Sequence, residues 1–199
     1  MVRLVVLKAD PETGETTVSG IMDLADDFDT SMYAMVRLNA ACGRFVCYEN
    51  ARLTCYDLGG KVIWTGDELT YEPAGFTITD EGDVIGLEKN GTEAVLHVYS
   101  KVDGRETASS ELGAAVLLSY EKLSCEELSG DERMVVVGDD AYLLDSKTWE
   151  LRTAINDNFI TYSPAAGQFM LGDADEWQTG HAPYRTLKEM IDEAGAVLE

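Results

Sequence analysis

Along the chain, short apolar runs bounded by Gly, Asn or Asp recur without a helical period, and they predict strands. The runs come in pairs joined by tight turns: RLVVLKADPETGETTV (3–18), ARLTCYDLGGKVIW (51–64), AVLHVYSKVDGRETAS (94–109), AYLLDSKTWELRT (141–153) and YRTLKEMIDEAGAVL (184–198). Aligned on the turn, Gly14, Gly60, Gly104, Trp149 and Gly195 stand 46, 44, 45 and 46 residues apart. A second set of turns lies upstream in the middle three segments, at Glu49-Asn50, Asn90-Gly91 and Gly138-Asp139-Asp140. Asn-Gly between apolar runs signals a two-residue hairpin, because its central residues need positive φ. A more variable strand comes first in each unit, near Tyr33–Leu38, Phe76–Thr79, Ala114–Tyr120 and Phe159–Tyr162. The repeating unit is therefore four antiparallel strands in about 45 residues.

The middle strands decide how such units pack. Phe45-Val46-Cys47-Tyr48, Met134-Val135-Val136-Val137 and Ala141-Tyr142-Leu143-Leu144 are unbroken apolar runs, so both faces of these strands need cover. Runs of this kind usually mark parallel strands under helices, but the short hairpin links leave no room for crossover helices. Blades stacked face to face, as in a β-propeller, satisfy both conditions. The polar stretch Arg105–Ser110 suits the outermost strand of a blade. The expected fold is all-β, with β-propeller-type four-stranded antiparallel blades, about four blades' worth, over residues 1–182. Counted in order, the strands make the last two of one blade, three whole blades and the first of another. That count predicts a portion of a longer propeller or a small ring closed by terminal strand exchange; an edge left open would pair with a second copy as a homodimer.

From residue 183 the pattern changes. Thr186-Leu187-Lys188-Glu189 is a T-x-x-E capping box, and Leu187, Met190, Ile191, Ala194, Val197 and Leu198 follow at helical spacing. This predicts a short C-terminal helix over 187–197 packed on the propeller, and makes the turn match at Gly195 a coincidence.

Asp57-Leu58-Gly59-Gly60-Lys61-Val62-Ile63-Trp64 resembles the D-x-x-x-G-K-x-x-W stretch of PQQ-like and related WD40 or YVTN-type β-propeller repeats, with one residue fewer before the glycine. Asp145-Ser146-Lys147-Thr148-Trp149-Glu150 is a looser copy with Trp in place of Gly. The resemblance implies a structural, blade-docking role for Asp57, Gly60, Trp64 and Trp149, and a superfold rather than an activity. It does not extend to the quinone itself. Quinoproteins hold PQQ in a complete ring with calcium and basic residues that this chain does not supply, so no cofactor is expected.

Charge bears on partners. Among 199 residues, Asp and Glu number 37 against 15 Lys and Arg, a net charge of −22. So acidic a chain lacks the cations that release counterions from phosphate, which disfavours nucleic acid and anionic membrane surfaces. A protein or peptide partner of basic character fits the field. No run approaches the ~20 apolar residues of a membrane helix, so no direct membrane insertion is expected. Cys42, Cys47, Cys55 and Cys125 include no C-x-x-C pair and read as reduced, buried thiols in a reducing, cytoplasmic setting.

Signs of chemistry are sparse. The chain has no G-x-x-x-x-G-K-[ST], G-x-S-x-G or H-E-x-x-H. His97, inside an apolar strand, reads as a hydrogen-bonded core imidazole, and His181, beside Gly180 and Pro183, as a solvated one. Carboxylates cluster in the predicted loops around Asp23–Asp29, Asp80–Asp83, Asp139-Asp140 and Asp173–Glu176. Asp173 and Asp175 have the spacing of the first two ligands of a calcium loop, but Gln178 stands where that loop needs glycine. They are the candidate metal ligands; the other carboxylates read as turn formers. The function expected is a non-catalytic propeller scaffold for protein or ligand binding, alone or as the C-terminal part of a larger protein. The alternative is a lactonase-like, metal-dependent hydrolase built on the loop carboxylates.

Overall fold

A computed structural model describes residues 3–23, 36–114, 123–128, 131–138, 140–156, 160–163, 168–171 and 184–186. Every regular element among the described residues is a strand. An N-terminal hairpin pairs β1 (Arg3–Ala9) with β2 (Thr16–Asp23). Three four-stranded antiparallel sheets follow, each with its strands in chain order. The first holds β3 (Val36–Asn39), β4 (Arg44–Glu49), β5 (Arg52–Asp57) and β6 (Val62–Thr65). The second holds β7 (Gly75–Ile78), β8 (Val84–Asn90), β9 (Glu93–Tyr99) and β10 (Glu106–Ala114). The third holds β11 (Leu123–Glu127), β12 (Glu132–Val137), β13 (Asp140–Asp145) and β14 (Leu151–Asn156). A last sheet pairs β15 (Ile160–Ser163), β16 (Gln168–Leu171) and β17 (Tyr184–Thr186). The fold is all-β, built of propeller-type four-stranded antiparallel blades.

Three details differ from the sequence expectation. The variable strand of the third sheet lies at Leu123–Glu127 rather than at Ala114–Tyr120, because Ala114 still belongs to the long outer strand β10. The two-residue turn with positive φ at both centres is Asn50-Ala51, not Asn90-Gly91; β8 runs through Asn90, so Gly91 alone has positive φ. The last sheet reaches Thr186, past the boundary at 182, and the helix expected over 187–197 lies outside the described residues.

One turn is built four times. Asp10, Asp57, Ser100 and Asp145 end the third strand of successive units, and each uses its side-chain oxygen to accept backbone N–H groups two to four residues on. Gly14, Gly104 and Trp149 then donate N–H to the carbonyl four residues back, and Gly60, in the copy one residue shorter, to the carbonyl three back. That closure places all four residues in the left-handed region, at φ of 72°, 84°, 72° and 62° for Gly14, Gly60, Gly104 and Trp149. Asp and Ser suit the first position because their short side chains bridge to their own backbone.

The chain divides into two compact units, Met1–Glu88 with His97–Thr107, and Lys89–Leu96 with Ala108–Glu199. In the first unit, the β3–β6 sheet is covered on both faces. Val46, Leu53, Cys55 and Trp64 pack with Phe76, Ile78, Val84 and Tyr99 of the next sheet. On the opposite face, Phe45, Cys47 and Tyr56 meet Val6 of the hairpin. Phe45 and Tyr56 are register partners whose rings stack at 4.9 Å. Burying each such side chain stabilises the fold by roughly 1.5–3 kcal/mol. In the second unit, β12 is buried continuously from Arg133 to Val137 and β13 from Ala141 to Leu144, as their unbroken apolar runs predict.

Candidate functional site

Sheet meets sheet at the recurring turn. Gly20 of β2 lies against the Leu58-Gly59 backbone so closely that a Cβ there would sit 2.6 Å from the Leu58 carbonyl oxygen. Trp64 of β6 lies flat on Gly104, where a Cβ would come within 2.4 Å of the indole. In the second unit, the Ser110 hydroxyl of β10 donates to the Trp149 carbonyl. At each of these three junctions the outer strand of one sheet therefore rests on the turn of the following sheet. Trp64 and Trp149 are both buried; Asp57 accepts N–H groups from Gly59 and Lys61, and Gly60 closes the turn.

Beside the Trp64–Gly104 contact lies a cavity of about 260 Å³. The β6–β7 link supplies one wall, and it is pinned by short-range bonds: Gly66 N–H donates to Leu53 (2.9 Å), Leu69 N–H to Ala51 (2.7 Å), and the Arg52 guanidinium to the Gly66 carbonyl (3.0 Å). The other wall is the β8–β9–β10 face. There His97 Nε2 stands 3.1 Å from Glu88 and Nδ1 stands 3.3 Å from Glu106, so both hydrogen bonds form together only when both ring nitrogens carry protons. The His97 ring stacks on Tyr71 at 4.6 Å, and the Tyr71 hydroxyl lies 2.6 Å from that of Tyr99. Burial pushes the Tyr71 phenol well above its ordinary range and Tyr99 up to about 12. Neither hydroxyl ionises at neutral pH, and the pair lines the cavity as neutral hydrogen-bonding groups.

The cavity wall was not singled out by sequence reasoning, which placed His97 correctly as hydrogen-bonded but not its partners. The missed signal is a spacing: Glu88, His97 and Glu106 are nine residues apart, one strand-turn-strand step each. The loop carboxylates that were singled out divide differently. Asp80 accepts from the Asn39 side chain (2.8 Å) and Asp83 from the Lys101 backbone N–H (2.9 Å). Asp173, Asp175 and His181 lie outside the described residues. Among the described residues no group of three or more His, Cys, Asp or Glu is placed to hold a metal ion, and no helix is long and apolar enough to cross a membrane. Cys42, Cys47, Cys55 and Cys125 form no disulfide; burial raises the thiols of Cys47 and Cys55 to about 12 and about 11, so neither is a ready nucleophile.

No protein-family model and no curated protein matches the chain. Among solved structures it is similar to one described as "Structure of Dos1 propeller", with a TM-score of 0.42 and 15% sequence identity over 76% of this chain. The match spans 41% of that chain's length. The fold assignment rests on the sheet order and the repeated turn rather than on this likeness.

Proposed function

We propose that the chain is a non-catalytic β-propeller scaffold of the PQQ-like, WD40 or YVTN-type repeat kind that binds a protein or peptide of basic character. Asp57, Gly60, Trp64 and Trp149 serve the docking of sheet on sheet in this reading and touch no ligand. The observation that carries it is the cavity wall, where Asp67, Glu68, Glu88 and Glu106 contribute four carboxylates and no Lys or Arg. Held on a rigid frame, uncompensated negative charge selects a cationic partner and speeds its arrival.

Calorimetric titration with short synthetic peptides rich in Lys and Arg, beside acidic and neutral peptides of equal length, tests this reading. Basic peptides should bind and weaken by roughly tenfold or more between low and high salt. Equal binding of all three classes, or binding of the basic class that ignores salt, would overturn it.

A further inference from the structure

We infer that the cavity beside Trp64 is the seat of an alkyl cation: the guanidinium or ammonium end of an arginine-like or lysine-like side chain. The inference rests on the scaffold reading above and names the place where the basic partner is held.

An acidic surface alone would not single out this place; a concave lining that joins aromatic and apolar side chains to the carboxylates, on a link pinned by backbone bonds, does. At about 260 Å³ the cavity falls just below the range of roughly 300–1,000 Å³ typical of drug-sized ligands, so it suits one side-chain end rather than a cofactor. Its apolar lining comes from Leu53 and Leu69, which offer contact to an aliphatic stem. Tyr71 and Tyr99 bring aromatic rings to the lining, and aromatic rings attract cations. The two hydroxyls share one hydrogen bond between them, which leaves a second O–H at the wall for water or ligand.

The charge inventory points the same way. The Arg52 guanidinium stands 3.6 Å from Glu68, and His97 serves Glu88 and Glu106. Asp67 makes no ion pair with any of the described residues. Even with His97 and Arg52 both charged, two of the four carboxylates remain uncompensated. An anion would meet all four, and a metal ion would have to displace the His97 bonds to Glu88 and Glu106. A monovalent organic cation supplies the missing charge while leaving those bonds in place. The backbone bonds that pin the β6–β7 link mean that little ordering is needed on entry.

The test is two-dimensional NMR of the aromatic side chains during titration with butylguanidinium, butylammonium and, as a neutral control, butanol at constant ionic strength. The cations should shift the His97, Tyr71 and Tyr99 signals saturably with a Kd of about 1–10 mM, and butanol should not. Asp67→Asn, at an exposed position without an ion-pair partner, should weaken cation binding by about fivefold with unchanged thermal stability. Glu106→Gln should weaken it as much or more. Absence of saturation at about 50 mM, equal response to butanol, or undiminished binding in Asp67→Asn and Glu106→Gln would overturn the assignment. If basic peptides still bind in a salt-dependent way while these three signals stay still, the cavity assignment fails and the scaffold reading stands. Loss of both brings down both.

Discussion

Two sheet-to-sheet joints solve one packing problem from opposite sides. Where the first four-stranded sheet meets the second, the outer strand brings the large group, Trp64, and the turn brings Gly104. Where the second meets the third, the outer strand brings the small group, Ser110, and the turn brings Trp149. In both, a buried indole sits where the outer strand meets the turn. Close packing requires that this volume be filled, and it does not specify which chain segment fills it. The two solutions differ in cost. Trp64 sits in an ordinary strand, but its indole N–H is buried with no acceptor. Trp149 holds a left-handed backbone at φ 62°, a conformation that costs a non-glycine residue roughly 1–2 kcal/mol. That cost is offset where the Arg133 guanidinium lies 4.1 Å over the Trp149 ring and where Glu127 holds Arg133 at 2.5 Å.

The largest loss of stability is expected at Trp64. Trp64→Ala should cost about 3–5 kcal/mol in urea unfolding, through loss of burial and the cavity left behind. Gly104→Ala attacks the same joint from the turn. Its Cβ meets the indole and its φ is unfavourable, so a loss of about 2–5 kcal/mol is expected. The second joint's solution can be transplanted to the first: in a Trp64→Ser background, Gly104→Trp should recover at least about 1 kcal/mol, a favourable coupling between residues in contact. If the double variant is no more stable than the sum of its parts, the joints are not interchangeable.

A reversal between glycine and alanine is the next test. At position 149, Trp149→Gly should be more stable than Trp149→Ala by about 1 kcal/mol, because glycine accepts the left-handed backbone. At position 64, in a strand, Trp64→Ala should be the more stable by a similar margin. The same order at both positions would show that backbone strain does not distinguish the joints. Trp64→Phe, which removes the N–H without an acceptor, should change stability by less than about 1.5 kcal/mol.

The smallest effect is acid-side and belongs to the turn that carries Trp149. Backbone N–H groups of Thr148 and Lys147, and the Arg152 guanidinium, hold the Asp145 carboxyl well below its ordinary value of 3.8. A carboxyl depressed in the folded state contributes stability that is complete above the ordinary value and is lost as pH falls below it. Carbon-13 NMR should therefore find Asp145 titrating below the free-Asp range, and Asp145→Asn should flatten the stability profile below about pH 4. An Asp145 midpoint near 3.8 would remove this contribution.

Much of the strand pattern was legible because it is local. Apolar runs with short hairpin links restrict the pairing to neighbours in chain order, and the 46-, 44- and 45-residue steps between Gly14, Gly60, Gly104 and Trp149 proved to mark one turn conformation. Even the copy with Trp in place of Gly was found by its period. The placement of the third sheet's first strand was less legible, because Ala114–Tyr120 is apolar enough to be a strand and nothing local says where β10 stops. The cavity was legible only in hindsight. Glu88, His97 and Glu106 fall on three strands, and Tyr71 comes from a link with no strand pattern of its own.

By itself, then, the chain's alternation of apolar runs and turn residues determined an all-β fold of four-stranded units, the closure of each turn and a strongly acidic field. These follow from backbone sterics and from charge, which act over a few residues or over the whole molecule. Which side of a joint carries the tryptophan, and which carboxylates come to surround His97 and Tyr71, was decided only by tertiary structure. Volume filling and charge pairing across sheets depend on distances between residues far apart in sequence, and no local pattern records them.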